Sequence, residues 1–161
     1  MAETARAEPQ GASGTDKALP AFVDTLLPFL LARASHIVSA EFYARLKNRG
    51  IPVRRWRLLA LLWDGGAMTI GALSRSILIE QSSTTRLVDR AAADGLVEKR
   101  ADASDRRRVH VNITPAGRDY IADLIRDAAQ ADEAIAGEID PVTTRSLKAE
   151  LRELIDRFDR R

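Results

Sequence analysis

Between Gln81 and Ile113 the apolar pattern changes its period, and this change constrains the chain more than any other feature. Up to Asp94 the pattern is helical, with Leu87, Val88, Ala91 and Ala92 able to pack inward from a helix that starts at Gln81. Gly95 reads as the residue just past the end of that helix, and Leu96 is placed for the hydrophobic contact of a Schellman-type ending. Beyond it the period is two: Val97 and Lys99, then Val109, Val111 and Ile113 alternating with Arg108, His110 and Asn112. That pattern predicts a β-hairpin. Its connection, Arg100 to Arg107 (RADASDRR), contains no apolar residue larger than Ala and reads as a solvent-exposed tip.

The flanking segments are helical by the same test. From Leu19 to about Lys47, Val23, Leu26, Leu27, Leu30, Ala34, Ile37, Val38, Phe42 and Leu46 recur at three and four, predicting one long helix that either kinks at Pro28 or begins there. Gly50-Ile51-Pro52 stops it. A second helix over 54–64 has Trp56, Leu59, Leu62 and Trp63 at helical spacing, with Gly65-Gly66 as its end. Thr69 caps a short third helix carrying Ile70, Leu73 and Ile77, and a break at Leu78-Ile79-Glu80 leads into the helix from Gln81. After the hairpin, Thr114-Pro115 opens a fifth helix with Ile121, Leu124, Ile125, Ala128 and Ile135 on one face, ended by Gly137. Asp140-Pro141 repeats the start signal for a last helix, in which Leu147, Leu151, Leu154 and Phe158 form a seam suited to another helix.

Charge is distributed unevenly along the chain. The net charge of +2 averages a segment over 45–118 with 15 Lys or Arg against 7 Asp or Glu and two acidic flanks. Local basic density of this kind suits a polyanionic partner. The absence of cysteine excludes a disulfide scaffold, a thiol nucleophile and a cysteine redox switch, and two histidines, His36 and His110, argue against a zinc-sensing site. No metal or cofactor is expected. No Gly-x-Ser-x-Gly elbow or glycine-rich phosphate loop occurs, and His110 falls on a solvent-facing strand position, so the reading is of a protein that is not an enzyme. No apolar run reaches membrane-spanning length and the N-terminus lacks a signal-peptide core, so a soluble cytoplasmic protein is expected, with residues 1–18 a disordered arm.

Two short helices joined by a tight turn and followed by a hairpin with a polar tip describe a winged helix-turn-helix. The fold expected is therefore mainly α with a small β-hairpin wing (α+β): one domain over 19–161, with a DNA-binding lobe at 52–118 between helical regions 19–50 and 119–161. The first turns of the second helix, Gln81, Ser82, Ser83, Thr85 and Arg86, present an amide, hydroxyls and a guanidinium, the groups that read base edges and grip phosphates. Lys99 and Arg100 are candidate phosphate contacts.

At this point the chain resembles the MarR family of winged-helix transcriptional regulators. The resemblance is carried by Gln81-Ser82-Ser83, Thr85-Arg86-Leu87-Val88-Asp89-Arg90, Asp94-Gly95-Leu96-Val97, the wing motif Asp102 to Arg107, Thr114 and Gly117. Thr84 departs from the small aliphatic residue usual there, and Ala103 from a common proline. The resemblance implies a homodimer in which first and last helices interlock through Leu147, Leu151, Leu154 and Phe158, binding double-stranded DNA at a pseudo-palindrome. It further implies a wing arginine, Arg106 or Arg107, in the minor groove, oriented by Asp105. Family members commonly sense small amphipathic aromatic molecules, for which Arg33, His36, Trp56 and Trp63 are the candidate pocket residues. A ligand-responsive repressor is thus the reading, with a ligand-independent architectural DNA-binding protein as its alternative.

Overall fold

The computed structural model describes residues 21–102, 105 and 108–159. The expected arm at 1–18 and the wing residues Ala103, Arg106 and Arg107 lie outside them. The chain forms two compact units, residues up to Ile37 and residues from Val38 onward, which divide within the long helix α2 (Leu27–Asn48).

The first unit contains α1 (Ala21–Asp24) and the start of α2. Of the two alternatives at Pro28 the structure has the second: the chain breaks after Asp24, where the Thr25 hydroxyl donates to the Phe22 carbonyl at 2.7 Å, and the long helix α2 begins with Pro28 in its first turn, where a missing N–H is harmless. Phe22, Leu27 and Ile37 are exposed in this unit.

The second unit holds the core. Phe42 and Leu46 of α2 pack with α3 (Val53–Gly65), whose Leu58, Leu59 and Leu62 are fully buried. Trp56 and Trp63 are half-buried on its flanks, so three leucines, not the indoles, form the inner face. Thr69 caps α4 (Ile70–Ile77) by accepting the Ala72 N–H at 3.2 Å, and Leu73 and Ile77 turn inward. The turn out of α4 places Leu78 in the left-handed region (φ 63°), at a cost of about 1–2 kcal/mol for a residue with a Cβ. The Ser74 hydroxyl closes the turn on the Ile79 carbonyl at 2.6 Å, and α5 (Gln81–Ala93) follows.

The end of α5 is the expected Schellman motif: Gly95 at φ +72° donates to the Ala92 carbonyl at 3.0 Å, and Leu96 to Ala91 at 2.9 Å. β2 (Val97–Ala101) and β3 (Val109–Ile113) then pair antiparallel, Val97 opposite Ile113 and Ala101 opposite Val109. Arg100 thus sits in a strand opposite His110, which shortens the expected tip. A third strand, β1 (Met68–Thr69), joins β3 on its other side, giving the order β1-β3-β2.

Helix α6 (Pro115–Ile139) is bolted to this junction at its first turn. Thr114 donates its N–H to the Leu96 carbonyl at 3.0 Å and its hydroxyl to Gly95 at 2.6 Å, while accepting the Gly117 N–H at 3.0 Å. A Cβ on Gly117 would lie 2.1 Å from the Leu96 oxygen, so only glycine allows this approach. Contrary to the sequence reading, α6 runs through Gly137 to Ile139. The break comes at Asp140 (φ 130°), whose carboxylate accepts the Val142 and Thr143 N–H groups at 2.8 and 3.1 Å and so caps α7 (Pro141–Asp159). Hydrogen bonds from Thr143 above all, and from Val142, hold the Asp140 carboxyl below its ordinary range. Of the expected α7 seam, Leu151 and Leu154 are half-buried while Leu147 and Phe158 are exposed, as are Val142 and Ile155.

Candidate nucleic-acid interface

Helix α5 divides its surface sharply. Thr84, Val88 and Ala91 are buried against the lobe, while Gln81, Ser82, Thr85, Arg86 and Asp89 form an exposed ridge, with Ser83 and Leu87 half-buried beside it. The exception in this pattern, a threonine in the core, is resolved locally. The Thr84 hydroxyl donates to the Glu80 carbonyl one turn back at 3.1 Å, so its burial strands no polar atom. The Thr85 hydroxyl does the same with Gln81 at 2.9 Å, leaving its oxygen as an outward-facing acceptor.

The wing stands beside this ridge. Lys99 pairs with Asp89 at 2.7 Å, linking β2 to α5, and Arg100 pairs with Glu98 at 2.8 Å. Both pairs are substantially exposed and therefore weak, so a phosphate can compete for either cation. The base of the tip is closed by Asp102: its N–H donates to the Arg108 carbonyl at 3.0 Å, one carboxylate oxygen accepts the Asp105 N–H at 3.1 Å, and the other lies 2.8 Å from His110 Nε2. His110 is consequently half-buried and engaged, a correction to its solvent-facing reading. Asp105 lies 3.8 Å from Arg108, a partner the sequence did not suggest; the pairing expected with Arg106 or Arg107 falls on residues outside those described.

A cleft lies on each side of the ridge. On the wing side one of about 550 Å³ is lined by Thr69, Gly71, Gln81, Thr85 and Arg108. On the other flank one of about 310 Å³ is lined by residues of α3 and α5 that include Arg54, Arg86 and Arg90. The sequence reading assigns no contact role to Arg54, Arg90 or Arg108; the basic excess over 45–118 locates the region without choosing among its arginines.

The candidate pocket residues fall in different units. Arg33 and His36 are exposed on the first part of α2. Trp56 packs edge-on against Phe42 with ring centroids 5.0 Å apart, and Trp63 lies beneath the Arg118 guanidinium at 5.1 Å. Both indoles are thereby tied into the lobe's own packing. Among the described residues no group of acidic or histidine side chains is arranged to hold a metal ion, and no helix is long and apolar enough to cross a membrane.

Comparison with known proteins places this geometry. The model of the MarR family matches residues 51–109, which span the α3-to-wing segment. The HTH-type transcriptional regulator YsmB of Bacillus subtilis is 40% identical over 67 residues, 42% of this chain and 46% of that protein, so the chain spans about half the length of this relative. The crystal structure of the MarR family transcriptional regulator SPO1453 from Silicibacter pomeroyi superposes with a TM-score of 0.74 at 36% identity, over 85% of this chain and 98% of that one. Bordetella bronchiseptica BpsR, whose DNA binding is regulated by 6-hydroxynicotinic acid, superposes with a TM-score of 0.68 at 25% identity, over 83% and 95%.

Proposed function

The chain belongs to the MarR family and is a DNA-binding transcriptional regulator, and from that premise we propose that it is a ligand-responsive repressor that reads a pseudo-palindromic operator as a homodimer. The observation that carries the proposal is the exposed ridge of α5, Gln81, Ser82, Thr85 and Arg86, standing on a buried face that fixes its orientation beside the wing. In this reading the ridge enters the major groove, where an amide and a guanidinium can each make two hydrogen bonds to a purine edge. Lys99 and Arg100 exchange their surface carboxylates for backbone phosphates. Arg106 or Arg107 extends from the tip into the flanking minor groove. The exposed apolar face of α7, Leu147 and Phe158 with the half-buried Leu151 and Leu154, supports the second copy.

The effector class proposed is a small aromatic acid, which the ligand of BpsR supports by kinship. Recovery of bound sites from random duplex DNA tests the core of the reading: an enriched palindrome with half-sites about one helical turn apart is expected. Binding without an enriched motif would replace it with an architectural role. On the recovered operator, Arg106→Ala and Arg107→Ala together should weaken binding by about 1–3 kcal/mol with the dimer intact, and an unchanged affinity would remove the wing from the interface. Release of the operator by members of a panel of aromatic carboxylic acids, followed by anisotropy, checks the effector.

A further inference from the structure

The two clefts beside the α5 ridge differ in charge. The one on the flank away from the wing carries Arg54 from the first turn of α3 and Arg86 and Arg90 from α5, around an apolar floor that includes Ile79 and Leu87. None of the residues lining it is acidic. Arg55, on the same wall, is already held by Asp94 at 2.7 Å. Arg54, Arg86 and Arg90 have no ion pair or side-chain hydrogen bond among the described residues, whereas Arg45, Arg49, Arg100 and Lys99 are each matched to a carboxylate. Three guanidinium groups sharing one cleft repel one another, and an anion laid between them relieves that repulsion. The start of α3 strengthens the field, since its first turn has no acidic residue and Pro52 at its cap offers no side-chain acceptor to the open N–H groups.

The spacing has a counterpart in the duplex. A helix lying in the major groove, about 12 Å wide, has one sugar-phosphate strand on each side. Ser83, Arg86, Leu87 and Arg90 recur at three, one and three along α5, which stacks them on the flank opposite Gln81 and Thr85 of the wing-side cleft. The wing therefore attends to one strand. We infer that this cleft, through Arg54 and Arg90 and beside Arg86, which also lines it, grips the other strand, clamping α5 from both sides and setting the depth at which the ridge meets the bases. This inference rests on the DNA-binding reading above. Arg54 and Arg90 are positioning residues in it, and the guanidinium planes suit paired contacts to phosphate oxygens.

The test uses the full chain carrying Arg54→Gln and Arg90→Gln, with Arg86 kept so that base reading is undisturbed. Anisotropy titrations across a salt series, on the recovered operator and on a scrambled duplex of the same length, should show the logarithmic salt slope reduced by about 2 per protomer. Affinity at low salt should fall by a similar factor on both duplexes, with the recovered motif unchanged. The charge-conserving pair, Arg54→Lys with Arg90→Lys, should restore the slope, which separates lost charge from lost folding. An unchanged slope in the glutamine variant would overturn the inference, as would a loss confined to the operator, which would make these residues base readers. Failure of the unmodified protein to bind either duplex is a separate result, read before any variant, and removes the DNA-binding reading itself.

Discussion

Helices α5 and α7 are both amphipathic surface helices of the same unit, and they are completed in opposite ways. α5 hides Thr84, Val88 and Ala91 and turns a polar ridge outward, so the chain itself satisfies its apolar face. α7 buries only Thr144 and leaves Val142, Leu147, Ile155 and Phe158 exposed, so its apolar face remains open. The difference separates two kinds of recognition. A polar ridge on a rigid base offers directional hydrogen bonds to a polar partner, while an open apolar face gains from burial against a protein surface of similar shape.

The largest effect distinguishing the two should come from the core behind α5. Leu62→Ala, at a site with no solvent exposure, should cost about 2–5 kcal/mol in urea unfolding; a loss below 1 kcal/mol would show that the lobe is not rigidly packed behind its ridge. Next comes the open face of α7. Leu147→Asp with Phe158→Asp should leave the protomer folded but raise the dimer dissociation constant by roughly a hundredfold or more, because a two-fold interface loses each side chain twice. A dimer that survives in sedimentation velocity would move the seam elsewhere. The smallest effect concerns the start of α7. Because the Asp140 carboxyl is held below its ordinary range, its contribution is present above the unfolded carboxylate pKa of about 4 and vanishes as pH falls through the lowered folded value. Asp140→Ala should therefore show a slightly lower thermal midpoint at neutral pH and converge with the parent in acid; a constant gap would mean that the capping charge is irrelevant.

What could be read from sequence was chemistry satisfied within a few residues. Thr69 and Thr114 as caps, Gly95-Leu96 as a helix end and the alternation from Val109 to Ile113 all appear where the residues implied, because each rests on a local hydrogen bond or a local period. Features that depend on distant partners were not visible. β1 is two residues long and exists only because Val111 and His110 lie opposite it. Gly137 signals a helix end only where the chain needs a left-handed residue, and here Asp140 takes that turn three residues later. Leu78 takes a positive φ that its residue type does not signal. In the candidate interface the shared exposure of Gln81, Ser82, Thr85 and Arg86 was legible because they occupy one face of one helix. The meeting of Arg54 and Arg90 was not, since they stand 36 positions apart in sequence and the fold alone brings them to one cleft.

The joint at Gly117 has a mechanical meaning. With the Leu96 carbonyl seated where a side chain would otherwise stand, and Thr114 bonded to both Leu96 and Gly95, the near end of α6 has no slack against the strand that follows α5. From that pivot α6 reaches about 37 Å, at 1.5 Å for each of its 25 residues. In the proposed function it is a lever arm with its fulcrum at the edge of the surface that would meet DNA, so a displacement at its far end would arrive there as rotation.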